Sequence, residues 1–169
     1  MKKYLILLAS VFMVSSVFAG SPGELVRVKL GPKAFKDGDV IRIEEVRATS
    51  PELEQGDTVT VKGRYRLESA DTASLQLLLT QVEGDGSEAT EAGQITKAEK
   101  GWQDFETTII VKHRGVLHLT FYDSGSGKPF GGVYFGTASQ MTLTKESWVA
   151  HYLHPADESA SADGAKVAE

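Results

Sequence analysis

The residues able to do chemistry in this 169-residue chain are four histidines, a Gly-rich loop, some acidic clusters and a set of Arg, His and Tyr side chains on alternating segments. His113 and His118 lie five apart and His151 and His154 three apart, and neither spacing is a zinc signature. On a helical turn His151 and His154 would face one way and hold a metal weakly; two solvated histidines on a capping segment are the plainer reading, and no metal is assigned. The loop Asp123-Ser124-Gly125-Ser126-Gly127-Lys128-Pro129 looks like a phosphate loop, but the motif's first Gly would fall at Tyr122 and its magnesium-binding hydroxyl at Pro129. It reads as a flexible hairpin loop instead. Glu83, Asp85, Ser87 and Glu91 sketch a calcium loop, yet Glu88 stands where the sharp turn requires Gly. There is no Cys and no Ser in a G-x-S-x-G elbow, and Glu44 and Glu45 point to opposite faces of a regular strand. The chain is therefore read as not an enzyme, with no cofactor.

What remains is a mixed aromatic and hydrogen-bonding surface. Arg64 and Arg66 share one outward phase, His118, Thr120 and Tyr122 share another, and Tyr134 is opposite in phase to Val133 and Phe135. Sugars are held by stacking on aromatic faces and by planar polar groups, so Arg64, Arg66, His118, Tyr122 and Tyr134 are the candidate ligand-binding residues. The expectation requires their strands to be adjacent and their side chains exposed. Solvated scaffold residues, or a face covered by another element, are the alternative.

The elements that must position these residues are strands. Val26, Val28 and Leu30 alternate in a first strand that Gly31-Pro32 should end. After the turn Asp37-Gly38-Asp39, Ile41 and Ile43 share a face from which Val46 is out of phase, so Val40–Ala48 needs a β-bulge near Glu44 and Glu45. Thr58–Glu68 alternates cleanly, with Val59, Val61, Gly63, Tyr65 and Leu67 inward. Ala73–Val82, with Leu75, Leu77 and Leu79 in phase, is read as strand rather than helix. From Gln81 to Gly101 the chain is a polar excursion with one weak strand near Gln94–Lys97. Phe105 to Val111 and Leu117 to Phe121 read as a hairpin turning at His113-Arg114-Gly115, with a last strand over Ser139–Thr144. Trp148 and Tyr152, four apart, suit a short helix within Glu146–His154 that packs an aromatic pair on the sheet, with strand continuation as the rival.

Composition bounds the rest. Met1–Ala19 has Lys2 and Lys3, an apolar run from Tyr4 to Val14 and a small-residue end at Val17-Phe18-Ala19, which is the pattern of a secretory signal peptide. The absence of Cys excludes a lipoprotein anchor and a disulfide framework, and the absence of Asn excludes N-glycosylation. Loss of Lys2 and Lys3 takes the formal charge from −5 to −7, without a Lys/Arg cluster along the chain, so nucleic acid and anionic membrane are poor partners. Pro155–Glu169, PADESASADGAKVAE, lacks the apolar content to fold. The expected organisation is a signal peptide over 1–19, one β-sandwich domain over 20–154 and a disordered tail over 155–169.

The run from Gly101 onward carries Trp102, Phe105, Gly115, Leu117, Leu119, Phe121, Val133, Tyr134 and Phe135 in an order that resembles the C-terminal half of the galactose-binding-like jelly rolls, several carbohydrate-binding modules among them. A fainter likeness reaches back to Gly56-Asp57-Thr58-Val59-Thr60-Val61, so the resemblance covers about Val40–Thr144. It implies an antiparallel two-sheet β-sandwich of jelly-roll type. Gly136-Thr137 stand where that family often has acidic residues that help hold calcium, so calcium is not carried over, and fold alone does not confer sugar binding. The sequence reading is thus an all-β, exported protein, periplasmic or extracellular and not inserted in the membrane once the signal is removed. It acts as a non-enzymatic binding module with carbohydrate as first ligand. The alternative is a structural or assembly protein of the cell envelope that meets a protein partner.

Overall fold

The computed structural model describes residues 23–36, 38–84 and 89–153, so the expected signal peptide and tail lie outside the described residues. Among the described residues, seven strands run as β1 (Glu24–Leu25), β2 (Lys29–Ala34), β3 (Val40–Ala48), β4 (Thr58–Glu83), β5 (Ile95–Ile110), β6 (Arg114–Asp123) and β7 (Pro129–Gly136). Two short helices follow, α1 (Ala138–Met141) and α2 (Ser147–Leu153). The fold is all-β, and the pairings among these strands are antiparallel. The sheet order is β1-β3-β4-β6-β7-β2, with β5 joined to β4 off that path.

The long strand β4 organises everything else. Its first half, where Val59, Val61, Tyr65 and Leu67 alternate inward, lies between β3 and β5; its second half, with Ala73, Leu75 and Leu77 inward, lies beside β6, with the start of β5 on its other edge over Thr72–Gln76. Pairing with β5 shifts register between Leu67 and Thr72, where the sequence Glu68-Ser69-Ala70-Asp71 offers no large apolar side chain. There the buried carboxylate of Asp39 accepts from the Glu68 N–H at 2.7 Å, the Ser69 N–H at 3.0 Å and the Ser69 hydroxyl at 2.5 Å. Backbone donors left by the lapsed ladder are thereby satisfied.

The sheet curls. Ile110 at the end of β5 pairs with Thr58 at the start of β4, while Arg114 at the start of β6 pairs with Glu83 at its end. A straight strand of 26 residues would run about 85 Å at ~3.3 Å per residue, yet Val111–His113 alone bridge its two ends. The inward faces of both halves therefore meet in one core, in which Tyr65 from the first half packs edge-on against Phe121 of β6 at 5.7 Å and 82°.

Other expectations are corrected. The Phe105–Val111 and Leu117–Phe121 segments are not a hairpin, because Phe105–Ile110 of β5 pair with Thr58–Gly63 in the first half of β4 while Leu117–Phe121 of β6 pair with Leu75–Leu79 in its second half. The break expected between Glu68 and Ala73 is a bend within one strand, and the weak strand near Gln94–Lys97 is the beginning of β5. Gly31-Pro32 lie inside β2, not after it; β2 is the last strand of the sheet path, and its register shift between Leu30 and Lys33 accommodates a residue with no N–H to give. Ser139–Thr144 is not a strand. Thr137 caps α1 reciprocally with Gln140, and the Gln140 amide donates to the Leu53 carbonyl at 3.0 Å. The bulge in β3 falls between Ile43 and Glu45, and Val46 is accordingly buried. The expected helix near Trp148 and Tyr152 is α2, lying over the outer face of β6 and β7 in a second apolar cluster of Val116, Tyr134, Val149 and Tyr152.

Candidate ligand-binding site

Alternation along β6 sends His118, Thr120 and Tyr122 to the face away from the main core, and the β6–β7 register sets Tyr134 directly opposite His118. Their rings stack at 4.7 Å with 27° between planes. On β4, Thr80 reaches the same place and shares a hydrogen bond with the Tyr134 hydroxyl at 2.8 Å. From α2, Trp148 and Tyr152 descend one turn apart; the indole lies 5.2 Å from the Tyr134 ring, and the Tyr152 hydroxyl bonds Thr120 Oγ1 at 3.0 Å. His118 Nδ1 lies 2.7 Å from the same Thr120 oxygen. His151 meets the Tyr152 ring edge-on at 4.5 Å.

These groups line a cavity of about 440 Å³, bounded by Thr80, His118, Tyr122, Tyr134, Ser147, Trp148, His151 and Tyr152. Tyr122 and Trp148 are half-buried and Ser147 and His151 exposed, so the rim is accessible while His118, Tyr134 and Tyr152 form a buried floor. A larger cavity of about 560 Å³ near Leu53, Arg114, Gln140 and Leu143 has no aromatic ring in its wall. The smaller one is where rings and hydroxyls converge.

Burial dominates its ionisation. It drives His118 down to about 3, with the neighbouring His151 charge adding to the shift, so its imidazole is neutral near neutral pH. Burial likewise raises the hydroxyls of Tyr122, Tyr134 and Tyr152. Such a wall offers stacking faces and neutral hydrogen-bonding groups.

The five candidate residues do not form one exposed face. His118, Tyr122 and Tyr134 come together under α2, and two of them, His118 and Tyr134, are buried by it. Arg64 and Arg66 sit on the first half of β4, between β3 and β5, beside Trp102 and away from the second half that borders β6. The reason is the bend at Glu68–Asp71, which lets a single strand serve two separate regions of the curled sheet. Thr80, Trp148, His151 and Tyr152 were not among the candidates; the spacing of Trp148 and Tyr152 pointed to packing, and no signal in the sequence tied that helix to β6 rather than to another strand.

Among the described residues, no group of three or more His, Asp or Glu side chains is placed to hold a metal ion, and no helix is long and apolar enough to cross a membrane. Comparison with known proteins finds no matching family model, no matching curated protein and no matching solved structure.

Proposed function

We propose that this chain is an exported, non-enzymatic binding module that takes a carbohydrate at the aromatic pocket between α2 and the outer face of β6 and β7. The observation that carries the reading is the convergence of the accessible Tyr122 and Trp148 rings with the Thr80 and Ser147 hydroxyls and His151 around a cavity of about 440 Å³. Pyranose rings present an apolar face for stacking and hydroxyls at the edge, and this wall is complementary to both. Export rests on the Met1–Ala19 pattern. A jelly-roll sandwich is the finer reading of the curled sheet, supported by the two halves of β4 facing one core. A glycan array followed by calorimetric titration tests the proposal: a saturable sugar signal weakened by Tyr122→Ala supports it, and a protein silent toward all glycans defeats it.

A second reading, assembly with a protein partner in the envelope, is favoured by the sheet ends. Leu25 on β1 and Leu30 on β2 are 63% and 57% exposed on the two strands that terminate the sheet path. Such strands accept an added strand from another chain. Dispersal of the five-residue face also adds weight to this reading. Site-specific crosslinking from the exposed neighbouring position 29 to one defined envelope protein, lost on Leu30→Lys, would support it.

A further inference from the structure

On the outer face of β3, β4 and β5, three guanidinium groups gather around one indole. Arg42, Arg64 and Arg66 lie 5.0, 5.2 and 5.5 Å from the centre of the Trp102 ring, which is 39% exposed. The register explains the gathering: Arg42 is directly opposite Arg64, Arg64 is opposite Asp104, and Arg66 is opposite Trp102. Like charges directly across a ladder are unfavourable, and here one such pair is kept in a chain whose net charge is negative. The compensation is thin. Arg64 Nε reaches Asp104 at 3.0 Å, but that carboxylate is 84% exposed, and Arg66 Nε donates to the Gly38 carbonyl at 2.7 Å, a neutral partner. Arg42 has the indole beside it. Three planar donor forks therefore converge with, among the described residues, only one exposed carboxylate paired to them, which is the condition for recognising an oxoanion.

We propose that Arg42, Arg64, Arg66 and Trp102 form a second binding site, separate from the aromatic pocket, which takes an acidic polysaccharide by its carboxylate groups. The neighbourhood selects this kind of polyanion. The depression next to the site is walled by Glu44, Asp104 and Glu106 together with Lys62, which pairs with Glu106 at 3.3 Å, so carboxylates outnumber cations there and a broad, uniformly anionic surface such as a bilayer or a nucleic acid backbone would meet carboxylates as well as guanidiniums. In an acidic polysaccharide each carboxylate is carried on a sugar ring, so one acid group can enter the Arg cluster while the ring rests against the exposed part of Trp102.

The test is fluorescence of Trp102 in a Trp148→Phe background, titrated with polygalacturonate and, as the matched control, with the same polymer fully methyl-esterified. Free acid should give a saturable change that weakens as NaCl is added. Arg42→Ala and Arg66→Ala, with melting temperatures checked, should each weaken it about tenfold, and Arg42→Lys should recover part of the loss. Tyr122→Ala should leave it unchanged, which keeps this site distinguishable from the pocket. Equal response to the esterified polymer, an unchanged response in both Arg variants, loss of binding in Tyr122→Ala, or a response to anionic lipid vesicles without one to polygalacturonate would each overturn the proposal.

Discussion

Gly132 of β7 lies directly beneath the ring of Tyr152 from α2: a Cβ built on Gly132 would stand 3.0 Å from Tyr152 Cε2, 2.7 Å from the Leu119 carbonyl oxygen and 2.6 Å from Thr120 Oγ1. The bare backbone here is what allows the helix to sit on the sheet and the Tyr152 hydroxyl to reach Thr120. Gly132→Ala is expected to cost about 1 to 3 kcal/mol, since both sheet backbone and helix must shift. The same shift should move Trp148, so its fluorescence maximum, read in a Trp102→Phe background, reports the lifting of α2 independently of the melting temperature. A variant unchanged in both would show that α2 is not seated through Tyr152.

At the other critical point of the fold, Asp39 holds the bend in β4. Asp39→Ala leaves the Glu68 and Ser69 N–H groups without their acceptor, a loss of about 1 to 3 kcal/mol. Amide hydrogen exchange should accelerate at Glu68 and Ser69 well before it does at Leu119 in the core. Uniform acceleration would mean that the bend does not depend on this carboxylate.

How the sequence disclosed the strands and hid their arrangement follows from the range over which each signal acts. Alternation is local, so Thr58–Glu68, the inward phase of Leu117, Leu119 and Phe121, and the β3 bulge needed by Val46 were all readable from neighbours two residues apart. Pairing is not local. His113-Arg114-Gly115 has the composition of a tight turn whether it joins a hairpin or carries the chain from one half of β4 to the other, and only closure of the core decides between them. The same limit applies to the site: phase alone placed Arg64, His118 and Tyr134 outward, correctly, but outward on a curled sheet means two regions, one of them covered by a helix. Ser139–Thr144 misled for another reason. Its apolar alternation through Met141 and Leu143 suits a strand, and the Thr137–Gln140 capping box, a four-residue signal, outweighs it.

Leu119→Ala tests the register that alternation did establish. The side chain is fully buried among residues of both halves of β4, so its truncation should lower stability by about 2 to 5 kcal/mol and shift the urea midpoint without changing the slope. Val61→Ala, at the matching centre of the first half, should act in the same direction. A midpoint unchanged within error for either would place that residue outside the core.

Acid sensitivity gives a separate reading of the pocket floor. His118 titrates near 6.5 in the unfolded chain and is held down to about 3 in the fold by burial and by His151. Between those values the unfolded state binds the extra proton, so this contribution to stability is complete above about pH 6.5 and is lost progressively as the pH falls toward 3. The slope approaches ~1.4 kcal/mol per pH unit at most. Carboxylates with lowered pKa act in a lower window. Glu45 is held down by its hydrogen bond from Arg47, Asp123 by the Ser126 N–H, and Asp57, which burial raises, by the outweighing hydrogen bonds of Ser50, Thr49 and Glu54. Their stability is present above the ordinary carboxylate range and is lost below it. Thermal melts from pH 7 to 5 therefore isolate the histidine: the wild type should lose stability across that interval, and His118→Phe, which keeps a ring against Tyr134, should lose much less. Parallel curves for the two proteins would mean that His118 is solvated in solution and that α2 does not close over the floor of the pocket.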